Sequence, residues 1–238
     1  MKTFADAVRF LFDNLSLLGS KTVEHLELSF AAISLSLLLA IPLGIWLGHI
    51  HRGSLLAINL ANVGRALPSL AIIAFGIALL GIGFVPTMIA LILVAAPIML
   101  TNAYVAVDGV DRDAVDAARG MGMTAREVLL RVELPLALPL TFAGIRTGAV
   151  YVIATATLAA VAGGGGLGEI IFNQASYGTP GVVAGAIAVA ALALAAELAF
   201  ATLQRAVTPK GLRGAVRDQR ADGPPSFAEL EPSNPGST

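Results

Sequence analysis

The chain has 238 residues, of which 56% are hydrophobic and 13% charged, with a formal net charge of -1 and no cysteine. A soluble domain carries about 25% charged residues, so this composition argues for a lipid-embedded protein rather than a water-soluble one. The charge balance gives no basis for nucleic-acid binding, and the lack of cysteine excludes a disulfide framework or a thiolate metal site.

Residues 1–22 contain Lys2, Asp6, Arg9 and Asp13, which break up the apolar core that a cleavable leader needs. Phe4, Val8, Leu11, Leu15 and Leu18 recur at helical spacing, which fits an amphipathic interfacial helix and equally a loosely ordered leader. Residues 28–48 then run without any Asp, Glu, Lys or Arg, enough for one crossing of about 20 residues. Residues 66–107 make an apolar window about twice that length, punctuated by Gly81, Gly83 and Pro86, and this predicts two helices joined by a tight turn. Two further spans are expected over residues 138–160 and 180–204, interrupted only by Arg146 and Glu197. Trp46 sits where an interfacial belt is expected, and Pro42, Pro68 and Pro97 are tolerated within spans where neighbours satisfy the freed carbonyls. The expected fold is an all-α membrane protein of five transmembrane helices, occupying residues 23–208. The chain then turns polar and proline-rich, and residues 209–238 read as a disordered tail.

Orientation follows from the basic residues of the short loops, which favour the cytoplasmic side. Lys2, Arg9 and Lys21 precede the first span. On the opposite side lie Arg52, then Arg112, Arg119, Arg126 and Arg131, then Arg205, Lys210, Arg213, Arg217 and Arg220. This asymmetry puts the N-terminus outside, the C-terminus in the cytoplasm, and the loop at 108–137 in the cytoplasm. His49 and His51 flank the first cytoplasmic turn. With no carboxylate or cysteine near them in sequence, they read as interfacial rather than as metal ligands.

The loop at 108–137 is polar and helix-permissive, unlike its surroundings. Its charges suggest two short polar helices bent at Gly120 and Gly122, the second starting at a Thr124/Glu127 capping box. Pattern alone leaves a solvated hairpin and a docking surface equally open. Asp116-Ala117-Ala118, three residues, Gly122, nine residues, Val132, one residue and Leu134-Pro135 resemble the coupling-loop signature E-A-A-x3-G-x9-I-x-L-P of binding-protein-dependent ABC importer permeases, with Asp for Glu and Val for Ile. The resemblance implies a type I importer permease fold like that of methionine permeases. It also implies a bacterial cytoplasmic-membrane location and a helix at Asp116, Ala117, Ala118, Gly122, Val132, Leu134 and Pro135 that couples to an ATP-binding-cassette ATPase subunit. The further partners it implies are a second permease copy or a related permease, and an extracytoplasmic solute-binding protein. ATP and Mg are then expected on the ATPase, with no cofactor on this chain, and no Walker pattern is present in it.

Ile145-Arg146-Thr147, the run from Ala154 to Ala159, the glycines and Pro68-Ser69-Leu70-Ala71 are similar to the osmoprotectant permeases that import glycine betaine, carnitine or choline. A methionine-type amino-acid permease is the runner-up, and an ion-coupled carrier built on Glu197 is a more distant rival. Gly163, Gly164, Gly165, Gly166 and Gly168 are read as an external gate or binding-protein contact, against a plain hinge. An ionisable group inside the membrane needs a partner or water. Arg146 and Glu197 lie at similar depths in their spans and are expected to pair, against simple snorkelling of Arg146.

Overall fold

A computed structural model describes residues 2–55, 57, 59, 62, 64 and 68–208. The expected tail at 209–238 and the start of the 66–107 window lie outside the described residues. Those described form helices and turns, with no strand among them. Helix α1 (Lys2–Asp13) leads into α2 (Leu15–His49). At 1.5 Å per residue α2 is roughly 52 Å long, well beyond the ~30 Å hydrocarbon layer. Residues 15–22 are therefore the first turns of the same helix that carries residues 28–48.

Next come α3 (Ser69–Leu80), a turn at Gly81 and Gly83, and α4 (Phe84–Asp108). The polar segment supplies α5 (Arg112–Gly120) and α6 (Ala125–Val128). The two expected short polar helices are both present, but the second is not followed by a break: α6 passes through a π turn, Leu129–Glu133, directly into α7 (Leu134–Thr155). Pro135 has no N–H to offer the Arg131 carbonyl. The helix accommodates this by widening, so that the Leu134 N–H bonds to the Leu129 carbonyl five residues back. A 3-10 stretch, Ala156–Ala162, precedes the glycine segment, α8 (Leu167–Phe172) and α9 (Gln174–Val207), which is kinked at Gly178.

Among the described residues, four helices are long and apolar enough to cross a membrane: Leu15–His49, Phe84–Asp108, Ala125–Ala162 and Gln174–Val207. The 12 residues of α3 are apolar but fall short of the about 20 that a single crossing needs.

Helix α4 is the most buried of the four and forms the axis of the bundle. Between helices in lipid, association depends on close backbone approach because there is little hydrophobic drive. Gly44 and Gly48 of α2 provide it on one side of α4. A β-carbon on Gly44 would sit 2.6 Å from the Leu100 carbonyl oxygen, and one on Gly48 2.8 Å from the Tyr104 carbonyl oxygen. On the other side, Gly144 and Gly148 of α7 lie on Asn102 and Met99. The core between these seams is made of Ala40, Leu91, Ala95, Met99, Tyr104 and Val152, among others. Phe30, Leu38, Phe75, Leu79 and Leu198 are largely exposed, an arrangement that suits lipid and not water.

Candidate functional site

The bundle has two polar rims. At one, the hairpin between α4 and α7 opens with α5, capped by the Asp111 side chain accepting from the Asp113 N–H. Val115 and Ala118 of α5 are buried against Ala106 and Val107 of α4, Val110 just beyond it, Val128 of α6 and Ala137 of α7. Thus the signature residues divide. Asp116 and Ala117 face outward, whereas Ala118 packs into the chain's own core. Gly122 has φ +84 and open space around the position of a β-carbon. Glycine is needed here for the left-handed backbone of the bend. Thr124 and Glu127 close a reciprocal capping box. Val132, Leu134 and Pro135 are half-buried. Leu134 and Pro135 line an apolar groove of about 420 Å³ together with Ile41 and Ile45 of α2 and Phe142 of α7.

Sequence reading found no carboxylate beside the two histidines, and the fold corrects this. His49 Nδ1 lies 2.5 Å from Glu133 Oε2, and His51 Nδ1 lies 2.8 Å from Asp108 Oδ1. The partners are 84 and 57 residues away along the chain, which is why local spacing did not reveal them. Asp108 and Glu133 mark the two ends of the hairpin, so the last residue of α2 and the turn that follows it meet one each.

At the opposite rim the first turns of α2 hold the glycine segment. Lys21 Nζ bridges Glu24 at 2.9 Å and Glu169 at 2.6 Å, and the Gly166 N–H donates to Glu24 Oε2 at 3.0 Å. The Gly83 N–H donates to the Ala162 carbonyl at 2.8 Å, which ties the α3–α4 turn to the same rim. His25 is fully buried, and its Nε2 donates at 2.9 Å to the Ile153 carbonyl, near the point where α7 gives way to the 3-10 stretch. Gly163, Gly165 and Gly166 have φ of +73, +74 and +77. Gly168 is pressed so closely onto the Thr157 carbonyl that a β-carbon would lie 1.9 Å from its oxygen. The segment is a fitted part of the bundle.

Between the rims, Arg146 of α7 donates to the Glu197 carboxylate of α9 through Nη2 and to Gln204 Oε1 at 3.4 Å through Nη1. Gln204 in turn donates to the Pro139 carbonyl at 3.0 Å. About a third of each charged side chain is exposed. The pair joins α7 to α9 beside the Gln204–Pro139 hydrogen bond, and it leaves neither charge isolated. Sequence reasoning had matched the depths of Arg146 and Glu197 but not Gln204, whose amide gives no charge signal. The Gly44/Gly48 and Gly144/Gly148 seams were also overlooked, although their four-residue spacing is a readable helix-contact pattern.

A helical bundle with apolar flanks, small-residue seams and a polar hairpin packed on one end is the architecture of a multi-pass membrane protein. The comparisons with known proteins agree with that class. Residues 40–209 match the family described as binding-protein-dependent transport system inner membrane component. The chain belongs to that family and is therefore a multi-pass protein of the bacterial inner membrane. It is 42% identical over 206 residues to the glycine betaine/carnitine/choline transport system permease protein OpuCB of Bacillus subtilis (strain 168), covering 86% of this chain and 95% of that protein. It is 41% identical over 209 residues to the carnitine transport permease protein OpuCB of Listeria monocytogenes, covering 87% and 96%. Among solved structures, an inward-facing MetNI methionine ABC transporter aligns with a TM-score of 0.71 at 22% identity, covering 82% of this chain and 98% of that one. An amino acid ABC transporter aligns at 0.62 and 19% identity, covering 82% and 94%. These two establish the fold, a type I importer permease.

Proposed function

We propose that this chain is the permease of an ATP-driven importer and carries an osmoprotectant of the glycine betaine, carnitine or choline type into the cell. The observation that carries the reading is the similarity of almost the whole chain, at 41–42% identity, to permeases named for those solutes. ATP hydrolysis belongs to a separate ATPase subunit, which grips the exposed face of the hairpin at Asp116 and Ala117. Gly122 sets the turn, and Ala118, Val132, Leu134 and Pro135 seat the hairpin on the bundle. In this reading the chain makes five crossings with the N-terminus outside, and it works beside a second permease with an external binding protein that delivers the solute. The glycine segment at 163–168 faces outward and meets the delivered solute or its carrier. The Arg146–Glu197 pair holds α7 against α9, which keeps a bare cation away from a quaternary ammonium.

The test is uptake. A strain lacking its own osmoprotectant importers receives this permease with its ATPase and binding protein, and accumulation of radiolabelled glycine betaine, carnitine, choline and methionine is measured. Accumulation of methionine alone refutes the assigned solute class. Because the chain has no cysteine, the single substitution Arg119→Cys supports a labelling test of sidedness. Reaction with an impermeant maleimide in intact cells would place the hairpin outside and end the docking reading.

A further inference from the structure

The hairpin leaves the bundle at Asp108, the last residue of α4, and rejoins it at Glu133, the last residue of the π turn. Histidines from the end of α2 meet both carboxylates, but in different surroundings. The His51–Asp108 pair is about a third exposed, while the Glu133 side chain is 1% exposed and its Oε1 has no hydrogen-bond partner among the described residues. Burying a carboxylate against a single imidazole is a poor source of stability, since an apolar pair of similar volume often holds a fold as well or better. The contact therefore calls for a reason other than stability. His51 adds a second observation: it is held at φ +49, a left-handed conformation that non-glycine residues rarely adopt, at the point where the chain turns out of α2.

The π turn is the weak point between hairpin and bundle. Its hydrogen bonding is wider than that of the helices on either side, and Pro135 removes a further bond just beyond it. Left to itself, such a joint bends when the hairpin is pushed. Glu133 closes this joint, and its carboxylate is held by His49, the final residue of α2. Helix α2 is seated on α4 by Gly44 and Gly48, so a load reaching His49 has a stiff path into the middle of the bundle.

We propose that the His49–Glu133 contact is a coupling strut. It pins the π turn to the end of α2, so that displacement of the hairpin moves α2 and α4 instead of being absorbed by bending at Leu129–Glu133. His49 and Glu133 are positioning residues, set back from the exposed face at Asp116 and Ala117. The inference rests on the reading that an ATPase grips the hairpin.

The experiment uses the complete transporter, permease with ATPase and binding protein, in proteoliposomes. Three quantities are read for each variant: co-purification of the ATPase, ATP hydrolysed, and radiolabelled glycine betaine, carnitine and choline taken up. His49→Gln and Glu133→Gln are expected to retain the ATPase and its hydrolysis. Their solute transported per ATP falls by about two- to thirtyfold, the range for residues that carry coupling between sites. Glu133→Asp, which keeps the charge, restores part of the ratio. An unchanged ratio in both Gln variants overturns the proposal, and so does a proportional fall of hydrolysis and uptake, which marks a merely structural role. Should Glu133→Gln fail to reach the membrane, His49→Leu, which can neither donate nor accept a hydrogen bond, removes the same contact from the other side and decides alone by the same ratio. A wild-type permease that does not co-purify with the ATPase defeats the docking reading and the strut with it, whereas a normal ratio in the variants defeats only the strut.

Discussion

Replacing Gly44 by Ala tests the packing that holds the bundle together. The new β-carbon would lie 2.6 Å from the Leu100 carbonyl oxygen and 2.8 Å from the Ala103 β-carbon, where ordinary contact begins near 3.4 Å. Both neighbours belong to the fixed frame of α4 and have no flexible end to swing aside, so α2 and α4 must part by roughly 0.8 Å at this point, at a cost of about 1–3 kcal/mol. Gly19 provides the control within the same helix, because nothing lies within 4 Å of its added β-carbon. There the change to Ala is expected to stabilise by about 0.4–1 kcal/mol through the unfolded chain. The two variants should therefore differ by about 1.4–4 kcal/mol. Unfolding by sodium dodecyl sulfate in mixed micelles, followed by far-ultraviolet circular dichroism, reads the difference as a shift in midpoint. A Gly44→Ala protein as resistant as Gly19→Ala would refute the close seam.

Three further outcomes are expected. Gly122→Val should abolish solute uptake at normal membrane abundance while Gly122→Asn retains a part, because the left-handed backbone at φ +84 costs a β-branched residue more than Asn; equal uptake by the two would count against a backbone role. Thr124→Ala removes the capping box and should loosen the first turn of α6 by about 1 kcal/mol, seen as faster amide exchange over residues 125–128. Arg146→Met and Glu197→Gln should each destabilise by about 1–3 kcal/mol, while the double variant Arg146→Met/Glu197→Met recovers much of the loss, since neither charge is then left alone; the same detergent titration checks this.

The long-range architecture was legible because membrane physics writes it coarsely. Windows free of charge marked α2 and α4, windows broken by a single charge, Arg146 or Glu197, marked α7 and α9, and Gly81, Gly83 and Pro86 marked the α3–α4 turn. The hairpin stood out because Asp113, Asp116, Arg119 and Arg126 are charged in a chain that is otherwise apolar. What stayed hidden depended on partners distant in sequence. Neither His49 nor His51 has a carboxylate beside it in the chain, and only the fold brings Glu133 and Asp108 to them. The continuous helix from Ala125 was hidden by its own composition, since a polar start followed by Leu134-Pro135 has the look of a break. Pro135, which the π turn accommodates, is the residue that reads as that break. Likewise, the depth of Arg146 could be counted along its span, but the amide of Gln204 that completes its surroundings carries no charge to flag it.

The glycine segment at 163–168 has a mechanical consequence. Each absent side chain there is answered by a neighbour: Ile82 against Gly163, Glu24 against Gly165, His25 against Gly166 and the Thr157 backbone against Gly168. Such a piece is a keystone, with no slack to swing on. Displacing it would open several of these contacts at once, so the segment is carried along with the helices it is wedged between.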